Sequence, residues 1–118
     1  MEPYLGANMS AALDLQPAFR ALSDPTRRDI LRRLSAREMT LAEVTAQCDM
    51  TRAAVKKHLV VLQQGNLIHM RRAGRETLSS LNPDALKPVV DWLSYFEAFW
   101  DTHLTNLHDV LSNSEENQ

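Results

Sequence analysis

The segment from Thr51 to Arg72 constrains the fold of this chain more than any other. A helix needs a polar cap, and Thr51 can offer its hydroxyl to the free N–H groups of a first turn. Val55, Leu59 and Leu62 then recur at i, i+4 and i+7, one buried stripe. Arg52, Ala53, Lys56 and Lys57 fall on the other side, small or cationic and turned outward. Gly65 is the expected stop, because the residue after a helix favours positive φ. A strand over 67–72 follows, ending in Arg71 and Arg72, and a second over 75–81 is joined to it through Ala73-Gly74, a two-residue hairpin.

Charge is segregated along the chain. The 118 residues carry a net charge of −2, yet residues 50–75 hold six cations and no carboxylate. Residues 1–49 sum to −1 and residues 76–118 to −7. Basic groups that serve only solvation are interspersed with acids, as they are at 27–38. Clustering on one supersecondary unit is the footprint of a polyanion-binding face.

The remaining pattern is helical with clear punctuation. A first helix is expected over 11–22, with Pro17 disturbing its start or middle. Asp24 caps a second, with Pro25 at its first position, running to about Arg37 and burying Ile30, Leu31 and Leu34. Thr40-Leu41-Ala42-Glu43 matches a capping box for a third helix over Leu41–Cys48. Asp49-Met50 then turns the chain into the basic helix, giving a helix-turn-helix. Asn82-Pro83 caps a last helical region, broken again before Pro88. The fold class is mainly α with a small β-hairpin, a winged helix-turn-helix dimerised through its terminal helices. Residues 1–10 are expected to be a flexible arm, 11–111 the domain and 112–118 a disordered tail.

Residues 89–111 are too apolar to serve only a small monomer core. Val89, Leu93, Phe96, Trp100, His103, Leu107 and Val110 alternate steps of four and three, the spacing of a helix–helix seam. Trp92, Phe99, Leu104 and Leu111 widen it. A two-fold DNA reader needs a self-complementary interface to set its half-site spacing. Val89, Trp92, Leu93, Phe96, Phe99, Trp100, His103 and Leu107 are therefore the candidate dimer interface, with help from the first helix.

No apolar run approaches the ~18 residues of a membrane span, and the N-terminus lacks the pattern of a secretion signal. One cysteine forms no internal disulfide, which fits a reducing cytoplasm. Cys48 reads as a core thiol, with oxidant sensing as the alternative. His58 is expected to hydrogen-bond internally. His69 is either a surface group or a phosphate neighbour, and His103 a polar group that fixes register in the seam. No nucleophile–base pair, glycine-rich phosphate loop or metal cluster points to an enzyme, and no cofactor is expected.

Over residues 16–110 the sequence resembles the ArsR-type winged-helix repressors. Phe19 to Arg28, with Ser23-Asp24-Pro25-Thr26 at its centre, is similar to that family's opening helices. Met50 to Leu59, with Leu62 and Gly65-Asn66-Leu67-Ile68, is similar to its recognition helix. Arg71 to Arg75 resembles its wing, and Leu81-Asn82-Pro83-Asp84 its link to the terminal helix. The resemblance implies a cytoplasmic homodimer that binds a double-stranded DNA operator and represses transcription. It also implies an effector, a small molecule or a protein, which the sequence does not identify.

Departures from the family pattern narrow the signal. Metal-sensing members carry a thiolate pair at the start of the third helix, where this chain has Thr40 and Ala42; soft-metal sensing needs thiolates. Other members bind zinc on the last helix through a D-x-H pair and a second histidine pair. Asp101-Thr102-His103 copies the first half, but Ser114 and Asn117 stand in the second. The chain is therefore expected to belong to the branch without metal ligands. For DNA, Thr51, Arg52, Ala53, Lys56 and Lys57 are the candidate groove residues. Arg71, Arg72 and Arg75 are the wing contacts, and Arg27 is an added phosphate contact. A protein-interaction module acting through the aromatic C-terminal helix is the competing reading, beside a metal or redox sensor.

Overall fold

The computed structural model describes residues 15–116, so the expected arm over 1–10 and the expected helical residues 11–14 lie outside the described part. The described elements run α1 (Gln16–Leu22), α2 (Pro25–Ala36), β1 (Met39–Thr40), α3 (Leu41–Gln47), α4 (Arg52–Gln64), β2 (Ile68–Ala73), β3 (Glu76–Leu81), α5 (Pro83–Ser94) and α6 (Glu97–Glu116). They form two compact units, divided between Pro88 and Val89.

Local chemistry explains the helix starts in the first unit. Pro17 lies in the first turn of α1, where a backbone N–H has no intrahelical partner to lose. The Asp24 carboxylate accepts the backbone N–H of Arg27 at 3.0 Å and caps α2. That hydrogen bond, with the Arg27 charge behind it, holds the Asp24 carboxyl below its ordinary range. The capping box of α3 is complete: Thr40 Oγ1 accepts from the Glu43 N–H at 3.1 Å, and Glu43 Oε1 accepts from the Thr40 N–H at 3.0 Å. Thr51 Oγ1 accepts from the Ala54 N–H at 3.1 Å to cap α4.

One core closes this unit. Val55, Leu59 and Leu62 on α4 are fully buried, as expected, together with Ile30, Met39, Val44, Leu67 and Ile68 from the surrounding elements. The sheet is three-stranded and antiparallel in the order β1-β3-β2. Strand β1, which the sequence pattern does not reveal, pairs Met39 with Ser79 and Thr40 with Leu78. Two residues are too few to show an alternating pattern. The hairpin register pairs Ala73 with Glu76, so its turn is Gly74-Arg75, one residue later than expected. Gly74 takes φ 67° there, a conformation that favours glycine.

Gly65 corrects a second expectation. It ends α4, but with φ −80°. The left-handed residue is Asn66, at φ 62°. The Asn66 N–H donates to Gln63 O at 2.9 Å and the Leu67 N–H to Leu62 O at 3.0 Å, which is the Schellman closure of a helix end. Glycine is required at 65 for space instead. A Cβ there would meet the Pro17 carbonyl oxygen at 2.9 Å and Ala18 Cα at 3.1 Å, both backbone atoms of α1.

The second unit departs from the expected single seam. Pro88 lies inside α5 rather than after a break. The interruption comes at Tyr95-Phe96, where the Tyr95 N–H donates to Trp92 O at 3.2 Å and the Phe96 N–H to Leu93 O at 3.0 Å. These i to i−3 bonds tighten the last turn and end α5. Residues 89–111 are thus parts of two helices, and one unbroken heptad ladder does not run through them. Helix α6 also continues through Glu116, past the expected start of the tail at 112, because no proline or glycine stops it.

Gly65→Ala should lower stability by about 1–3 kcal/mol through overpacking against α1. Gly74→Ala has open space around its new Cβ and should cost about 1–2 kcal/mol through φ alone. Urea unfolding of a Gly65→Ala protein fully as stable as the parent would remove close packing as the reason for that glycine.

Candidate nucleic-acid interface

Outward-facing residues of α4 and the hairpin converge on one cleft of about 480 Å³. Arg52 and Lys56 come to it from α4, Arg72 from β2 and Arg75 from the hairpin turn, with Leu59 and Met70 among its apolar lining. Strand alternation explains the selection on β2: Ile68, Met70 and Arg72 share one face, while His69 and Arg71 lie on the other. Arg52, Ala53, Lys56 and Lys57 are all exposed, as is Thr51, whose hydroxyl is committed to the cap. Four cations around one cleft beside a helix N-terminus form a concave, electropositive surface fitted to a polyanion.

Two of the expected contacts sit differently. Arg71 Nη2 lies 3.5 Å from Glu38 Oε1, so the acid-free tract of sequence meets an acid in space. Glu38 precedes β1, and the pairing of β1 with β3 beside β2 carries it there. A strand as short as β1 leaves no periodic signal, so nothing local in the sequence points to this pair. Arg27, expected to face phosphate, directs its guanidinium to acceptors within the chain. Its Nε donates to Ala21 O at 2.9 Å and its Nη2 to Arg20 O at 3.0 Å, carbonyls at the end of α1. Arg28 does likewise, donating from Nη1 to Leu22 O at 2.7 Å. Cations suit a helix C-terminus, where unpaired carbonyls gather.

The histidines and the cysteine separate by environment. His58 is half-buried, with Nδ1 3.4 Å from Arg27 Nη1 and 3.9 Å from Asp24 Oδ2, an internal position as expected. His69 is exposed on β2. Cys48 closes α3 and is half-buried. Thr40 serves as a helix cap and Ala42 is exposed, at the positions where thiolates would bind soft metals. Among the described residues no three His, Cys, Asp or Glu side chains group to hold a metal ion. No described helix is long and apolar enough to cross a membrane.

In the second unit the candidate interface residues are largely bare. Trp92 and Phe96 are 39% and 38% exposed, and Leu93, Phe99, Trp100 and Leu107 are each half or more exposed. Val89 is the exception, being buried. Aromatic edges meet along the helices, Trp92 on Phe96 with centroids 5.2 Å apart and Phe99 on Trp100 at 5.7 Å. The His103 ring lies 3.9 Å from that of Phe99, and its Nδ1 is 3.0 Å from Phe99 O. It therefore has an intrahelical partner on α6.

Known proteins resemble this chain in sequence and fold. Residues 22–71 match the model of a helix-turn-helix domain. The chain is 33% identical to the transcriptional repressor SdpR of Bacillus subtilis over 78 residues, which cover 66% of this chain and 87% of that protein. It is similar to a crystal structure of an ArsR family transcriptional regulator, at 31% identity and a TM-score of 0.68, covering 75% of this chain and 97% of the other. An ArsR-like transcriptional regulator from Rhodococcus sp. RHA1 gives a TM-score of 0.68 at 28% identity, covering 86% of this chain and 95% of its own.

Glu38→Gln should free Arg71 and raise affinity for a polyanion by roughly twofold to fivefold, the range of an exposed ion pair. Later elution from heparin at low ionic strength is the expected readout. Unchanged elution would mean that Glu38 does not restrain the wing.

Proposed function

The chain belongs to the ArsR family of winged-helix transcriptional regulators, and on that premise we propose that it is a homodimeric repressor that occupies a promoter operator. The observation that carries this is the cleft rimmed by Arg52, Lys56, Arg72 and Arg75 beside the capped start of α4. Helix α4 enters the major groove N-terminus first, where Arg52 makes a bidentate contact with guanine. Ala53 is small enough to let the backbone approach and to touch a thymine methyl. Lys56 and Lys57 reach phosphates or base edges one turn on. Arg72 and Arg75 hold the backbone beside the wing or enter the adjacent minor groove, and Arg71 joins them to the extent that Glu38 releases it. Repression then needs no chemistry, because the bound protein occludes the promoter.

The dimer uses the second unit. Exposed apolar patches mark interaction sites, and Trp92 on α5, Phe96 in the turn, and Phe99, Trp100 and Leu107 on α6 are large apolar side chains left exposed. A second copy of this chain is the occupant that fits the two-fold form of an operator. Thr40 and Ala42 at the thiolate positions support a signal other than soft metals.

Arg52→Ala should cost ~1–3 kcal/mol of specific binding and relax preference at one base pair in each half-site. Arg72→Ala or Arg75→Ala should weaken all sequences nearly alike and flatten the salt dependence by ~1 unit for each phosphate that is no longer neutralised. Fluorescence anisotropy against matched and mutated duplexes at several salt concentrations separates the two. Unchanged affinity and base preference in Arg52→Ala would defeat the docking described.

Trp100→Glu places an unpaired charge in the proposed interface, where it would be desolvated in both subunits. Analytical ultracentrifugation should show twice the 13.4 kDa chain mass for the wild type and monomer for the variant. A wild type that sediments as monomer at micromolar concentration would remove the two-fold operator from the proposal.

A further inference from the structure

Arg27 stands where three helices meet. From α2 it reaches the carbonyls of Arg20 and Ala21 at the end of α1, at 3.0 and 2.9 Å, and its Nη1 lies 3.4 Å from His58 Nδ1 on α4. A guanidinium has donors only, so a hydrogen bond between them requires Nδ1 to accept and the ring proton to sit on Nε2. Asp24 Oδ2 is 3.9 Å from the same nitrogen and already accepts the Arg27 backbone N–H at 3.0 Å. A second contact ties the far end of α4 to the same helix: Gly65, about two turns beyond His58, has no room for a Cβ against the Pro17 and Ala18 backbone. Helix α4 is thereby tied to α1 at two points, through Arg27 at His58 and directly at Gly65, while Arg52, Lys56 and Lys57 stay exposed.

We propose that Arg27 is a positioning residue for DNA reading, which joins the end of α1 to His58 and so fixes the orientation in which α4 presents Arg52. This rests on the DNA-reading function proposed above and replaces the direct phosphate contact expected of Arg27. The two roles leave different traces. A phosphate ligand contributes to every duplex alike and adds about one unit to the salt slope. A positioning residue contributes where side chains must match base edges and is silent elsewhere. Lysine keeps the charge but not the planar fork that spans two carbonyls and an imidazole, so Arg27→Lys separates charge from geometry.

The test uses the full chain, a duplex selected from a random pool and a scrambled duplex of equal length. Arg27→Gln and Arg27→Lys should both weaken binding to the selected duplex by roughly tenfold. Affinity for the scrambled duplex and its salt slope should stay unchanged. His58→Ala should shift the same ratio, and the double variant should be no worse than Arg27→Gln alone, since the two side chains act as one link. Nitrogen-15 NMR of the histidine rings supplies a readout that needs no DNA. His58 should be the Nε2–H tautomer in the wild type and lose that fixed state in both Arg27 variants. If Arg27→Gln fails to fold, Arg27→Lys and His58→Ala carry the same comparison. Full rescue by lysine, with equal weakening of both duplexes by glutamine, would make Arg27 a phosphate ligand and overturn the inference. So would a wild-type His58 protonated on Nδ1. A wild type that binds no duplex would overturn the DNA-reading function, and with it the role proposed for Arg27, while the ring signature would still decide whether the link to His58 exists.

Discussion

The removal of one stripe of α4 from water is the constraint on which the rest of the first unit depends. Val55, Leu59 and Leu62 have no exposed surface, and burying each such side chain contributes about 1.5–3 kcal/mol. A helix fixed on its inner side in this way can leave a cationic outer side unpaired. Repulsion among the exposed Arg52, Lys56 and Lys57 is weak in water and screened by salt, so the apolar anchor prevails. The close approach of Gly65 to α1 adds geometry to that energy, because backbone in contact with backbone cannot relax as side chains do.

Electrostatics then acts through placement. A chain of net charge −2 can still offer a concentrated positive surface when its cations fall on two adjacent elements. Not every arginine in the basic tract or near it is equivalent. Arg72 and Arg75 line the cleft, Arg71 is drawn toward Glu38, and Arg27 and Arg28 close the carbonyl end of α1. The division follows from strand alternation for the wing pair and from the carbonyls gathered at the end of α1 for the other two.

The second unit poses the opposite problem, large apolar side chains that stay exposed. Its aromatic side chains meet one another edge to face on α5, on α6 and in the turn between them, which is favourable but leaves much of each ring in water. A second protomer would add burial at a reduced cost in side-chain freedom, since helical rotamers are already restricted. The turn at Tyr95-Phe96 divides this surface between two helices, so an interface built on it is not a simple heptad seam.

What the sequence determines by itself is local. Thr40-Glu43, Asp24-Pro25 and Thr51 announce three helix starts, because a cap needs only residues within one turn. The buried stripe of α4 is visible as periodicity, and the cluster of cations as a run without acids. What only the tertiary structure decides is which distant groups share a position. The short strand β1 exists because β3 is there to pair with it, and it brings Glu38 to Arg71. Gly65 has the look of a conformational stop, yet it is small because Pro17, far away in the chain, passes within 2.9 Å of where its Cβ would be. Arg27 has the look of a free cation because the carbonyls it satisfies, at the end of α1, leave no mark in the side-chain alphabet. Caps and periodicity are written within a turn or two of chain, whereas close packing and long-range hydrogen bonds depend on three-dimensional coincidence.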